Sequence, residues 1–100
     1  MRYSVLMGRT FVNVELRDRS AIARFATAMN ALGFVQFVKG RKKGNALRLP
    51  KGMFILERAT PVRALELARR AMQATNVQAR VFCVPANDEV RFGNLRPCAA

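Results

Sequence analysis

Residues 10–16, TFVNVEL, set Phe11, Asn13 and Glu15 against Val12, Val14 and Leu16. That period-two alternation predicts a strand buried on one side. RDRS then interrupts it, and Asp18 or Ser20 can accept hydrogen bonds from the free amides at the start of a helix. Over residues 21–32, Ile22, Phe25, Ala26, Met29 and Leu32 recur at helical spacing and form one apolar stripe. Gly33 suits the position just past a helix end, with Phe34 as its accompanying hydrophobic contact. FVQFV, residues 34–38, predicts a second strand, and LRLPKGMFILE, residues 47–57, a third whose first part Pro50 makes an irregular edge. Thr60 and Pro61 then open a second helix, with Leu65, Ala68, Ala71, Met72 and Thr75 facing inward and Asn76 closing it. VQARVFCV, residues 77–84, alternates Val77, Ala79, Val81 and Cys83 with Gln78, Arg80, Phe82 and Val84, and Pro85 is expected to end that strand. VRF in the tail predicts an added edge strand.

The resulting order, β-α-β-β-α-β, predicts an α+β, ferredoxin-like split-βαβ sandwich: a four-stranded antiparallel sheet with two helices on one face. One hundred residues fit a single domain spanning 1–100, with a core at about 10–85, an N-terminal arm at 1–9 and a C-terminal tail at 86–100. With helices on one face only, Phe11, Phe82 and either Met53/Ile55 or Phe54/Leu56 would lie on an open sheet face. An open apolar face serves as a docking platform or a subunit interface, and a homodimer with its charges on the rim is the expected use.

Composition sharpens this picture in one respect. Lys and Arg number 18 against 6 Asp and Glu, a net charge of +12. Such a field draws polyanions, nucleic acid first and an acidic protein second, although the arginine and alanine abundance also suits a genome-wide bias. KGRKKGNALRLPKG, residues 39–52, holds six basic side chains, no acidic one and all four lysines of the chain. As a hairpin loop it would present Arg41, Lys42 and Lys43 at its tip, flanked by Lys39, Arg48 and Lys51. Each such cation can displace a counterion condensed on a phosphate backbone, whereas a solvated loop would use them only for solubility. The two cysteines and the lack of histidine argue against a disulfide framework and a zinc site. The apolar run Val5-Leu6-Met7 is too short for a membrane or signal segment, so a cytoplasmic protein is expected.

Chemistry beyond binding centres on DRS. A carboxylate at the end of the first strand, Asp18, can hold Mg²⁺ beside a nucleic-acid phosphate, with Arg17, Arg19 and Arg24 steadying developing charge. Helix capping accounts for Asp18 equally well. A histidine-free nuclease would otherwise depend on Tyr3 or a lysine of depressed pKa, and Asp88-Glu89 has the character of a solvated pair. Compared with the RNA-recognition motif, Phe11 occupies a stacking position, but Met53 and Ile55 stand where that motif has aromatics.

Taken in order, VELRD, AMNALGF, the basic hairpin closing on LRLPKGMFILE, ATPVRALELARRAM, VQARVFCV and EVRFGNL resemble the GhoS-like type V toxin–antitoxin endoribonuclease antitoxin family over residues 10–95. The signposts are GF after the first helix, LP before the third strand and FGNL near the end. The resemblance implies a ferredoxin-like fold shared with the endonuclease-like subunit of CRISPR adaptation complexes, and a homodimer or weakly associating monomer that binds or cleaves a toxin messenger RNA. RNA is thereby favoured over DNA. It further implies a role for a first-helix arginine, for which Arg24 is the nearest candidate, and for Asp18, which sits where the adaptation-type relatives carry a carboxylate. The chain is far more basic than that pattern, so the scaffold equally suits a phage or mobile-element regulator that binds an acidic host protein.

Overall fold

A computed structural model describes residues 8–39, 46–86 and 96–97. The chain forms a mixed α+β structure of two α-helices and two antiparallel sheets. The elements are β1 (Arg9–Leu16), α1 (Ile22–Ala31) after a single 3-10 turn (Arg19–Ala21), β2 (Phe37–Lys39), β3 (Ala46–Arg48), β4 (Met53–Leu56), α2 (Pro61–Thr75), β5 (Ala79–Ala86) and β6 (Arg96–Pro97).

The central sheet has the order β4-β1-β5, with β1 antiparallel to both neighbours. The strand–helix–strand unit β4–α2–β5 is therefore split, with β1 occupying the slot between its ends. Alternation in β1 decides which residues face the helices. Val12 and Val14 join Phe54, Leu56, Phe25, Met29, Ala64, Leu67, Ala68 and Ala71 in the main core, so both helices cover the same sheet face. Phe54 lies at its centre, edge-on to Phe25 and Phe34 with ring centroids 6.1 and 6.3 Å away. Thr10, fully buried, satisfies its hydroxyl by donating to the Ala59 carbonyl at 2.7 Å.

The helix ends follow the signals in the sequence. At the end of α1 the Gly33 amide donates to the Asn30 carbonyl and the Phe34 amide to Met29, with Gly33 at φ 101°. This is a Schellman closure, and Asn76 at φ 54° closes α2 in the same way through Val77 and Met72. Thr60 accepts from the Arg63 amide at 3.2 Å to start α2, with Pro61 at its first position. The inward face of α2 differs from expectation. Ala64, Leu67, Ala68 and Ala71 are buried, whereas Leu65 and Met72 are only half-buried. Alanines let the helix axis approach the sheet closely, and the longer side chains flank that contact.

The third strand divides. Pro50, which has no N–H to give to a ladder, separates β3 from β4, and the Met53 amide donates to the Pro50 carbonyl at 2.9 Å across the turn between them. β3 pairs with β2 and with β6, making a second sheet of order β2-β3-β6. Val35 bridges to the central sheet through paired backbone bonds of 2.9 and 2.8 Å with Ile55. The expected single four-stranded sheet is thus a three-stranded sheet plus one bridge at the edge of β4. Pro85 lies within β5 rather than ending it. β5 is an edge strand in this sheet, where a missing N–H on the outer side disturbs no ladder. The predicted VRF strand and residues 1–7 of the predicted 1–9 arm lie outside the described residues, and Arg9 already belongs to β1.

Candidate nucleic-acid interface

β1, β4 and β5 meet at one end of the central sheet, and the charges gather there. The strand register places Glu15 opposite Arg80 and Leu16 opposite Ala79. The chain then leaves β1 through Arg17, whose amide donates to the Gln78 carbonyl at 3.1 Å. The Arg17 guanidinium also donates to Gln78 Oε1 at 3.0 Å, which fixes its direction. Together Glu15, Arg17, Arg19, Gln78 and Arg80 line an open concavity of about 670 Å³. A second of about 540 Å³ shares Glu15, Leu16 and Arg19 and extends to Asn13, Lys51 and Gly52. Glu15, Leu16 and Arg19 line both, and the two adjoining concavities are together termed the trough. Its openness suits an extended chain better than an enclosed small molecule.

Among the described residues Glu15 is the only carboxylate lining either concavity, and it lies 3.6 Å from Arg80. Both side chains are largely exposed, so water screens the pair. Lys51 is positioned by its backbone, whose carbonyl accepts from Gln36 Nε2 at 2.9 Å. The Gly52 carbonyl accepts from the Val14 amide at 2.7 Å, drawing this turn close against β1.

Asp18 is next to the trough but engaged locally. Its Oδ1 accepts from the Ser20 hydroxyl at 2.7 Å and the Ser20 amide at 3.0 Å, capping the 3-10 turn. These two bonds, and then the charge of Arg24, hold its carboxyl below the usual aspartate range. Arg24 Nε donates to the Thr75 carbonyl at 3.3 Å, so its cation meets the C-terminal end of α2. Among the described residues no group of three or more His, Cys, Asp or Glu side chains could hold a metal ion. Asp18 with Ser20 is a capping arrangement.

The expected basic hairpin lies partly outside the described residues. Arg41, Lys42 and Lys43 lie outside the described residues, and Lys39 holds the last position of β2. Arg48, at the end of β3, is exposed beside Phe37, Gln36 and Asn30 in a separate shallow depression. Of the expected binding residues, Arg17, Arg19 and Lys51 are therefore brought together at the sheet end, and Arg48 is not. Arg80, Gln78 and Glu15 complete the trough and were not among the expected site residues. Antiparallel pairing of the first and last strands would have pointed to them, because it sets the start of β5 beside the end of β1.

The sheet face away from the helices is half covered. Ile55, 1% exposed, is buried with Val38 and Leu49, and Phe11, Val35, Leu47 and Met53 pack around them. The β2–β3 hairpin thus folds over the β4 side of this face, using the Met53/Ile55 pair. On the β5 side Phe82 remains 67% exposed and Val84 39%. The apolar area left for a second copy is correspondingly smaller than the sequence suggested. Cys83, facing the helices, has its thiol pushed up by burial. Among the described residues no helix is long and apolar enough to cross a membrane. A comparison with protein-family models finds no match, and no curated protein matches the chain.

Proposed function

We propose that the chain is a ferredoxin-like module that binds single-stranded nucleic acid, RNA before DNA, along the trough at the end of its central sheet. The Val35–Ile55 bridge supports the fold assignment, because it sets the segment leading into β2 beside β4, the edge at which that architecture carries its second strand. One observation carries the function: Arg17, Arg19 and Arg80 line one concavity, Arg19 and Lys51 line the adjoining one, and among the described residues Glu15 is the one carboxylate lining either. Four cations so placed reach phosphates along one strand, and the net charge of +12 steers that strand in from a distance. Binding has more support than cleavage, since Asp18 and Arg24 already serve as a cap and a helix-end contact.

The test is the salt dependence of binding to a labelled single-stranded RNA, read by fluorescence anisotropy. Each phosphate neutralised contributes about −0.7 to the slope of log affinity against log salt. Replacing Arg17, Arg19 and Arg80 together by alanine should flatten that slope by about 2, while lysine at the same positions preserves it. Glu15→Gln, which removes the carboxylate facing the phosphates, should raise affinity. An unchanged slope in the alanine variant would remove the sheet end from the interface. Magnesium-dependent cleavage abolished by Asp18→Asn would instead assign the chain a nuclease activity.

A further inference from the structure

We propose that Phe82 is a stacking platform for an unpaired base of the bound strand. The inference rests on the reading of the sheet end as a phosphate-binding trough and adds to it what the charges cannot supply, a site for the base. Phe82 is 67% exposed in a regular strand, although the same sheet face is sealed by Val38 and Leu49 only two strands away. Its position relative to the charges is set by the register. Arg80 and Phe82 alternate on one face of β5, about 7 Å apart along the strand. Across from them on β1 lie Glu15 and Asn13, and beyond Asn13 on β4 lies Met53.

A strand whose phosphates meet Arg80, Arg17 and Arg19 therefore brings its bases over Phe82, with the exposed Asn13 amide beside it to donate or accept at a base edge. Charge complementarity selects this occupant over a second copy, because a face-to-face dimer would bring the two Arg80 clusters of a +12 chain towards each other. Stacking on a lone aromatic is tolerant of sequence, so the implied ligand is any unpaired strand. A duplex, with its bases already stacked, is excluded.

The chain has no tryptophan, so Phe82→Trp introduces one fluorophore at the site. Single-stranded RNA should quench that indole, whereas inorganic polyphosphate, a polyanion without bases, should bind without quenching it. Phe82→Ala should weaken RNA binding about 5- to 150-fold and leave both polyphosphate binding and the salt slope as in the parent chain. RNA bound with an unquenched indole, and with Phe82→Ala within twofold of the parent, would overturn stacking while leaving the phosphate trough intact. Absence of any salt-dependent RNA binding would overturn the trough as well. If Phe82→Ala instead converts a sedimenting dimer to monomer with RNA affinity unchanged, a second copy occupies the face and the proposal fails.

Discussion

Gly52 is the position at which a single methyl group should do most damage relative to its size. It precedes β4 at the turn that rejoins the central sheet, and its carbonyl accepts from the buried Val14 amide at 2.7 Å. A Cβ built on Gly52 would stand well inside the 3.0 Å limit that real Cβ atoms keep, against the Val14 carbonyl oxygen. The obstructing atom is backbone in the central strand, so no side-chain rotation relieves it. Either β4 retreats and the Val14–Gly52 bond lengthens, or β1 shifts within the core it shares with Phe25 and Ala68.

Overpacking of this kind costs about 1–3 kcal/mol, and a weakened backbone hydrogen bond adds about 0.5–1.5. Gly52→Ala should therefore lose about 2–4 kcal/mol out of the roughly 5–15 typical of a small domain. At about 4–8 °C per kcal/mol, the melting temperature falls by about 8–30 °C. Urea titration followed by circular dichroism measures the loss directly. Gly33 is the internal control. At φ 101° its difficulty is conformational, and a Cβ there meets only Leu56 at an ordinary 3.7 Å. Asparagine, which tolerates positive φ, should therefore recover stability relative to alanine at residue 33 and recover nothing at residue 52. A Gly52→Ala midpoint within about 0.5 kcal/mol of the parent would refute the close approach.

Phe54→Ala removes the ring that Phe25 and Phe34 meet edge-on in the main core, and should cost about 3–5 kcal/mol by the same titration. A loss below about 1 kcal/mol would mean that the core is not built around it. The lowered carboxyl of Asp18 favours folding above the ordinary aspartate value of about 4, and this contribution disappears as pH falls through the lower folded value. Carboxyl NMR should show Asp18 titrating below that ordinary value in the parent and closer to it in Ser20→Ala; an Asp18 titration at or above it would contradict the cap.

The helices and their ends were legible in the sequence because their signals are local. Gly33-Phe34, Thr60-Pro61 and Asn76 each act within one turn, and each works as its chemistry predicts. The faces of β1 and β5 were legible too, since Val12, Val14, Val81 and Cys83 alternate cleanly towards the helices. The inward face of α2 was harder to read, because an alanine-rich helix offers several stripes of similar hydropathy and closeness of approach decides among them. The split at Pro50 was anticipated as an irregularity. Its consequence, a hairpin that folds Val38 and Leu49 onto Ile55, is a tertiary choice that no local pattern announces.

The candidate site shows the same division between local and distant information. A run such as RKK is conspicuous because its charges are adjacent in the chain, whereas Arg19 comes to share one concavity with Arg80 and another with Lys51 only through strand pairing. That pairing is strictly specified. A slip of one residue between β1 and β5 would turn Val81 and Cys83 out to solvent and bury Arg80 and Phe82 against the helices, an exchange the core cannot accommodate. The burial of small apolar residues on one side of β5 is therefore what holds an arginine and a phenylalanine outward on the other. The stability of the core and the presentation of the proposed interface are set by one alternation, and a variant that disturbs the first should lose the second.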